Sequence, residues 1–284
     1  MARLAFLGRG LMGAPMATPP LQAHHDVTVW NRTSEKTEPQ VERGAPAALS
    51  PARVVTARVD VPITMVGNPQ ALERVVFGGD GLAPALRPGQ VLIDMSTVGP
   101  AAARSVAARL PHSVGIVDAP VRGSVSQATQ DQVAICAGAT QVAFERVQLI
   151  LMALGAVHHV GSQDQGRPRK WSSIPPSVRR SRRSAGPSPW ATRSGWTRKT
   201  LLGVLAESPD GMAVSGKRAD VESGTYPPNF TLSLALEDLH LATGAAERAG
   251  RRLELAWASQ AWLERASGEG TGDLGSSAPR RSSR

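Results

Sequence analysis

The 284-residue sequence predicts an α/β fold, a parallel-sheet domain over residues 1–161 followed by a smaller all-helical domain, on three observations. Short apolar, β-branched runs recur through residues 1–160, separated by helix-length stretches. Such runs are strands buried on both faces, the pattern of a parallel sheet under two helical layers. A glycine-rich turn, Gly8-Arg9-Gly10-Leu11-Met12-Gly13, follows the first run at once. From Thr200 onward the apolar residues take helical spacing instead: Leu201, Leu202, Val204 and Leu205, then Leu232, Leu234, Leu236, Leu239 and Leu241.

In chain order, Leu4-Ala5-Phe6-Leu7 is the first strand and ends at Gly8. Val27-Thr28-Val29-Trp30 is β-branched and aromatic, hence a second. Val61 to Val66 reads as a third, with Pro62 near its start. The turn Arg87-Pro88-Gly89 precedes a fourth, Val91-Leu92-Ile93-Asp94. Gly115-Ile116-Val117-Asp118 and Val133-Ala134-Ile135-Cys136 add two more. Residues 162–199 break the pattern and read as an irregular basic segment. Between Gly166 and Thr200 the only aliphatic residues beyond alanine are Ile174 and Val178, and Pro168, Pro175, Pro176, Pro187 and Pro189 interrupt any helix. Residues 200–284 form the C-terminal helical domain, whose tail from Gly268 dissolves into Gly, Ser and Arg.

Hydrophobic residues make up 41% of the chain and charged residues 19%, enough for a packed core and against global disorder. No apolar run approaches ~18 residues, so no membrane span is expected. Nor does the start of the chain carry the apolar stretch of a signal peptide, and a cytoplasmic protein is the simplest expectation. The single cysteine, Cys136, excludes an internal disulfide and a thiolate-cluster metal site, and reads as a buried small hydrophobe. His24-His25 and His158-His159 lack the partners of a metal site, so no metal is assigned. The net charge of +9 would point to nucleic acid if it were spread over the surface. Residues 166–200, however, hold ten of the 32 basic residues and no acidic one, leaving the rest of the chain nearly neutral. Trp171, Trp190 and Trp196 could stack on bases there, but no known nucleic-acid module has this pattern, and no nucleic-acid partner is expected.

Gly8, Gly10 and Gly13 form G-x-G-x-x-G between a strand and a helix-length stretch, with a second strand ending at Trp30. That is the βαβ dinucleotide fingerprint of a Rossmann-type domain. The first glycine makes the tight turn, the second lets the backbone approach the pyrophosphate, and the third lets helix pack on strand. Cofactor choice follows from the end of the second strand, Asn31-Arg32-Thr33-Ser34, which has no acid before Glu35. A carboxylate would repel a 2′-phosphate, whereas Arg32 can grip one through its planar fork. This favours NADP, with NAD as the alternative; ordinary turn chemistry would also account for the tetrapeptide.

On these residues the chain resembles the β-hydroxyacid dehydrogenase family, the 3-hydroxyisobutyrate dehydrogenase group, whose relatives include 6-phosphogluconate dehydrogenase and small semialdehyde reductases. Phe6 to Ala17 is similar to the family's opening signature, and His25 to Thr33 to its NADP-preferring branch. Ile63-Thr64-Met65-Val66 resembles the loop over the cofactor, and Asp94-Met95-Ser96-Thr97 with Pro100 the loop beside the nicotinamide. Asp118-Ala119-Pro120-Val121-Arg122-Gly123-Ser124 is similar to the substrate loop. The resemblance implies cofactor contacts at Gly8, Gly10, Leu11, Met12, Gly13, Asn31, Arg32, Thr33, Met65, Val66 and Thr97, and substrate contacts at Ser96, Arg122 and Gly123. It further implies hydride transfer between NADP and a small β-hydroxy acid or aldehyde acid, and a homo-oligomer, usually a dimer, built on the helical domain. The family's catalytic lysine lies in G-x-x-x-K-x-x-x-N, which places it at Lys170 in Gly166-Arg167-Pro168-Arg169-Lys170.

Three departures stand out. Arg122 replaces the serine that bonds the substrate carboxylate in the family, and Glu237-Asp238-Leu239 stands where the family has Lys-Asp-Leu. After Lys170 the motif's asparagine is missing, and Ile174 occupies its place. The genetic code accounts for that last departure. If Arg169 to Ile174 is encoded CGA AAG TGG TCA TCA ATT, reading each third base with the next two gives Lys-Val-Val-Ile-Asn, which restores the motif. If Arg193 to Thr197 is encoded CGC TCG GGC TGG ACC, the same frame gives Leu-Gly-Leu-Asp, the family's lead into Arg198-Lys199-Thr200-Leu201-Leu202. A frame shift over about 166–197, later restored, is the preferred origin, and an authentic basic linker is the alternative. A catalytically impaired NADP-binding relative is the competing functional reading.

Overall fold

The computed structural model describes residues 1–55, 59–161, 197–206 and 215–276. The chain divides into two compact units, Met1–Lys170 and Trp171–Arg284.

The first unit is built on a five-stranded sheet of β1 (Arg3–Leu7), β2 (Asp26–Trp30), β3 (Val61–Thr64), β4 (Val91–Asp94) and β5 (Gly115–Asp118), in the order β2-β1-β3-β4-β5. All four pairings are parallel, with Leu4 beside both Val27 and Val61, and Asp94 beside Asp118. Side chains alternate into two cores. Leu4, Phe6, Val29 and Ile63 join Phe144, Val147 and Leu151 on one face. Ala5, Leu7 and Leu92 join Leu72, Val76 and Val106 on the other. Burial on both faces is why the strands read as continuous apolar runs.

The helices of this unit are α1 (Gly13–Met16), α2 (Thr18–Gln22), α3 (Glu38–Val41), α4 (Pro51–Val54), α5 (Pro69–Phe77), α6 (Gly99–Arg109), α7 (Val125–Thr129) and α8 (Gln141–Met152). The stretch after the glycine loop is two short helices rather than one. Pro19 and Pro20 lack the N–H groups that Pro15 and Met16 would need one turn on, and the helix restarts with proline in its first turn. Asn68 caps α5 by accepting the Ala71 N–H at 2.8 Å.

The sixth apolar run departs from the expected single sheet. Ala134–Ala137 is β7 of a separate sheet in the order β6-β7-β8, with β6 at Val121–Arg122 and β8 at Ala156–His159. Only Ala119 and Pro120 separate β5 from β6, so no crossover returns the chain to the main sheet. The next run therefore pairs antiparallel with β6, through Val121 and Ile135, and then parallel with β8. Cys136 lies on β7 and is half-buried, not buried as expected.

The second unit contains α9 (Arg198–Ala206), α10 (Arg218–Ser223), α11 (Leu232–Arg248) and α12 (Glu254–Ala266). Leu232, Ala235, Leu239 and Ala242 of α11 pack on Ala256, Leu263 and Ala266 of α12, where the alanines allow close approach. Helix α9 begins at Arg198, inside the stretch whose composition reads as irregular. The tail is ordered further than its Gly- and Ser-rich composition implies. It folds back on the start of α11, where Leu232 donates to the Leu274 carbonyl at 2.9 Å and Ser276 to that of Phe230 at 2.8 Å. Thr271 is buried there. Among the described residues no helix is long and apolar enough to cross a membrane.

Candidate functional site

From β1 the chain crosses to β2 on one side and returns to β3 on the other, so the strand order reverses at the carboxyl ends of β1 and β3. A crevice opens at such a point in an open parallel sheet. Here it is a cleft of about 660 Å³. One wall is Gly8, Gly10, Trp30, Asn31, Arg32, Thr33 and Lys36; the other runs from Met65 through α5 to Asp80.

The glycine loop forms the floor. Gly8 has a φ of +99°, a conformation glycine takes without strain, and its N–H donates to the Trp30 carbonyl at 2.9 Å. A Cβ on Gly8 would overlap the Met65 carbonyl, and one on Gly13 would overlap that of Gly8. A Cβ on Gly10 would meet nothing within 4 Å. So Gly8 and Gly13 are required by the fold, whereas Gly10 leaves room that the protein itself does not fill. The N–H groups of Gly10, Leu11 and Met12 engage no acceptor among the described residues. Leu11 is exposed, and Met12 packs partly on the core.

Asn31 turns its polar atoms toward the protein. Its Oδ1 accepts the Arg9 N–H at 2.7 Å and its Nδ2 donates to the Thr33 carbonyl at 2.8 Å. It thus positions the glycine loop from the end of β2. Arg32 and Thr33 follow it, exposed at the rim, and no side-chain partner engages Arg32 among the described residues. On the next strand, Met65 donates to the Leu7 carbonyl at 2.8 Å and Val66 to the Ser96 hydroxyl at 2.9 Å. Ser96 is buried, and its own N–H donates to Asp94 Oδ1, which also accepts the Thr64 hydroxyl at 2.9 Å. That buried chain fixes the loop over the cleft. The predicted substrate residue Ser96 thus accepts the Val66 N–H through its hydroxyl oxygen.

Gly8, Gly10, Asn31, Arg32, Thr33, Met65 and Val66 line one cleft, with Leu11, Met12 and Gly13 in the same loop. Ser96, Thr97, Arg122 and Gly123 are not among its lining residues. Thr97 follows β4, half-buried, and Arg122 stands exposed on β6 opposite Ala134. Lys170 lies outside the described residues. Sequence reasoning missed Lys36 and Arg74 in the lining. The spacing of Arg32 and Lys36 was a usable signal for the first; nothing in the motifs marks Arg74.

Behind the loop lies an unusual cation. Arg9, between the first two glycines, is 2% exposed. Its Nη2 donates to the Ala14 carbonyl at 3.2 Å, while Nε and Nη1 find no partner among the described residues. Burial, reinforced by the charge of Arg43, pulls this guanidinium down to about 10. The Gln40 amide donates to the same carbonyl at 3.2 Å, tying the glycine loop, α1 and α3 together.

Residues 3–161 match the NAD binding domain of 6-phosphogluconate dehydrogenase. The chain is 30% identical over 279 residues to glyoxylate/succinic semialdehyde reductase 1 of Arabidopsis thaliana, covering 97% of this chain and 96% of that protein. It is 28% identical over 268 residues to the cytokine-like nuclear factor N-PAC of Xenopus tropicalis, covering 93% of this chain. It spans only 50% of that protein's length. Among solved structures it is similar to 3-hydroxyisobutyrate dehydrogenase of Mycobacterium tuberculosis with L-serine, at a TM-score of 0.85 and 25% identity, covering 98% of this chain and 97% of that one.

Proposed function

We propose, because the chain belongs to the β-hydroxyacid dehydrogenase family, that it transfers a hydride between NADP and a small β-hydroxy acid or aldehyde acid. By family it is an oxidoreductase carrying a nicotinamide dinucleotide domain. The observation that carries the NADP reading is the rim at the end of β2, where Arg32 has no side-chain partner among the described residues and Asn31 stands in place of the usual carboxylate.

The residues present fit a dinucleotide. Gly10 leaves open space beside a row of N–H groups that engage no acceptor among the described residues, which suits a pyrophosphate. Arg32 and Lys36 supply positive charge at the rim for a 2′-phosphate. The loop Met65-Val66, held by Ser96, covers the cleft from the other strand. The nicotinamide supplies the hydride donor or acceptor when bound. On this reading Thr97 orients the nicotinamide end, and Ser96, Arg122 and Gly123 receive the substrate, with Arg122 in place of the family's serine. Lys170 bonds the substrate hydroxyl and gives or takes its proton as hydride moves from the adjacent carbon.

The relatives support this substrate class. L-serine, with which the mycobacterial dehydrogenase was solved, is a β-hydroxy acid, and the Arabidopsis protein is named for two aldehyde acids. A cytoplasmic homo-oligomer acting on a small carboxylate, without nucleic acid, completes the reading. A second reading, an NADP-binding relative with an impaired catalytic step, is favoured by Ile174 standing where the family motif has asparagine.

The test is fluorescence titration with NADPH and NADH. The present chain should bind NADPH more tightly, and Arg32→Asp should reverse the order, because its carboxylate repels the 2′-phosphate. Equal affinities in the unmodified chain would overturn the NADP assignment.

A further inference from the structure

A third cation faces this cleft from its far wall. Arg74 lies in the last turn of α5, exposed, in the lining opposite Arg32 and Lys36. The carboxylate beside it in sequence, Glu73, is taken by Arg109 at 2.6 Å, and Arg109 also stacks over Phe77 at 3.7 Å from the ring centroid. The Arg74 side chain is left without a hydrogen-bonded or ion-pair partner among the described residues. Among the described residues that line the cleft Asp80 is the one carboxylate, so Arg32, Lys36 and Arg74 share this lining with a single negative charge.

We propose that Arg74 is a specificity-determining residue for the dinucleotide, closing on its 2′-phosphate from the wall opposite Arg32 and Lys36. This rests on the NADP reading above and extends it from one rim of the cleft to both. Cations of like sign on facing walls repel, and a bound dianion converts that repulsion into attraction from each side. Low-dielectric walls concentrate the field between them. A guanidinium offers paired N–H groups that match phosphate oxygens, which a single ammonium does not. A cation in the last turn also suits the helix dipole, so a purely structural role predicts a change in stability without a change in selectivity.

Isothermal titration of the full chain with 2′,5′-ADP and with 5′-AMP separates these roles, because the probes share adenosine and the 5′-phosphate and differ in the 2′-phosphate. Arg74→Gln should weaken 2′,5′-ADP about tenfold and change 5′-AMP by under about twofold, the loss expected for one charge-assisted contact. The salt dependence of 2′,5′-ADP binding should become shallower in the variant. Thermal melting in parallel reads any effect on α5. If the unmodified chain prefers 2′,5′-ADP and Arg74→Gln leaves that preference intact, the role of Arg74 is refuted while the NADP reading stands. An equal loss for both probes, or a drop in melting temperature alone, also refutes it. If the unmodified chain shows no preference between the probes, the NADP reading falls and the Arg74 proposal with it.

Discussion

Asn31 Oδ1 accepts the backbone N–H of Arg9 at 2.7 Å, so the residue that follows β2 holds the glycine loop that leaves β1. This bond spans two strands of the sheet and fixes the loop before any ligand arrives. Asn31→Ala removes the acceptor and leaves a partly buried N–H unpaired, at a cost of about 1 kcal/mol. We expect a small fall in melting temperature and about a tenfold weaker NADPH affinity, since the loop would have to be ordered on binding. Asn31→Asp keeps the acceptor but adds charge at the rim, and should weaken NADPH more than NADH. Fluorescence titration with both cofactors checks each variant, and unchanged affinities for Asn31→Ala would remove the loop-positioning role.

The three glycines of the loop should fail differently. Gly13→Ala drives a Cβ into the Gly8 carbonyl, which the backbone can relieve only by moving α1 off the sheet. We expect a loss of about 3 kcal/mol in urea unfolding, the upper part of the range for overpacking. Gly10→Ala meets no protein atom within 4 Å and should leave stability unchanged. Its methyl group occupies the space assigned to the pyrophosphate, so NADPH binding should fall by at least about tenfold. A Gly10→Ala protein that binds NADPH normally would place the pyrophosphate elsewhere.

Stability should also respond to pH through Glu237, the residue standing where the family has lysine. Burial, then the neighbouring Asp238, push its carboxyl above the ordinary 4.5, against a smaller opposing effect of His240. The folded value exceeds the unfolded one. The contribution of this group is therefore present below the unfolded value and is lost as pH rises through the folded value. Glu237→Gln removes the dependence. The variant should match the parent near about pH 4 and melt higher at about pH 7, as differential scanning calorimetry at the two pH values would read. A variant that melts lower at about pH 7 would show that the ionised carboxylate is held by a favourable contact instead.

How legible this fold was depends on where each residue is buried. Phe6, Ile63 and Leu92 announce strands because both faces of their sheet are covered, which leaves no polar alternation to confuse the reading. Val133 to Cys136 carries the same apolar signature, yet its sheet is set by the two-residue step from Asp118 to Val121, and strand propensity holds no information on partner choice. The end of the glycine-loop helix was written in Pro19 and Pro20. The ordered tail was not written in composition at all, because its bonds are backbone bonds from Leu274 and Ser276 to residues more than 40 positions earlier. In the cleft, Gly8 and Arg32 belong to a local motif and could be read. Arg74 joins them only through the pairing of β1 with β3, a tertiary fact.

The catalytic step turns on positioning. A lysine serves as proton donor only when its nitrogen comes within about 2.6–3.2 Å of the substrate oxygen. In the family motif an asparagine follows the lysine by one helical turn. In this chain Ile174 follows Lys170 at that spacing, and Pro175 and Pro176 come next. An interior proline costs a helix about 3 kcal/mol, so this sequence does not favour the rigid element that would aim the ammonium. A displacement of about 1 Å at the reacting groups can lower the rate about 10²-fold. The glycine loop and the Arg32 rim lie in the first unit and do not include this segment, so cofactor binding and turnover should separate. On the second reading, the impaired relative, the chain binds NADPH while oxidising L-serine and 3-hydroxyisobutyrate, or reducing glyoxylate and succinic semialdehyde, at rates near background. Lys170→Ala should then alter little. A chain in which the shifted frame is restored, carrying Lys-Val-Val-Ile-Asn, should turn over the same substrates at least about 10²-fold faster. Sequencing the gene across the codons for residues 160–200 tests the origin of the segment directly. A robust NADP-dependent rate from the present chain, abolished by Lys170→Ala, would overturn this expectation and make Lys170 the working acid and base of the site.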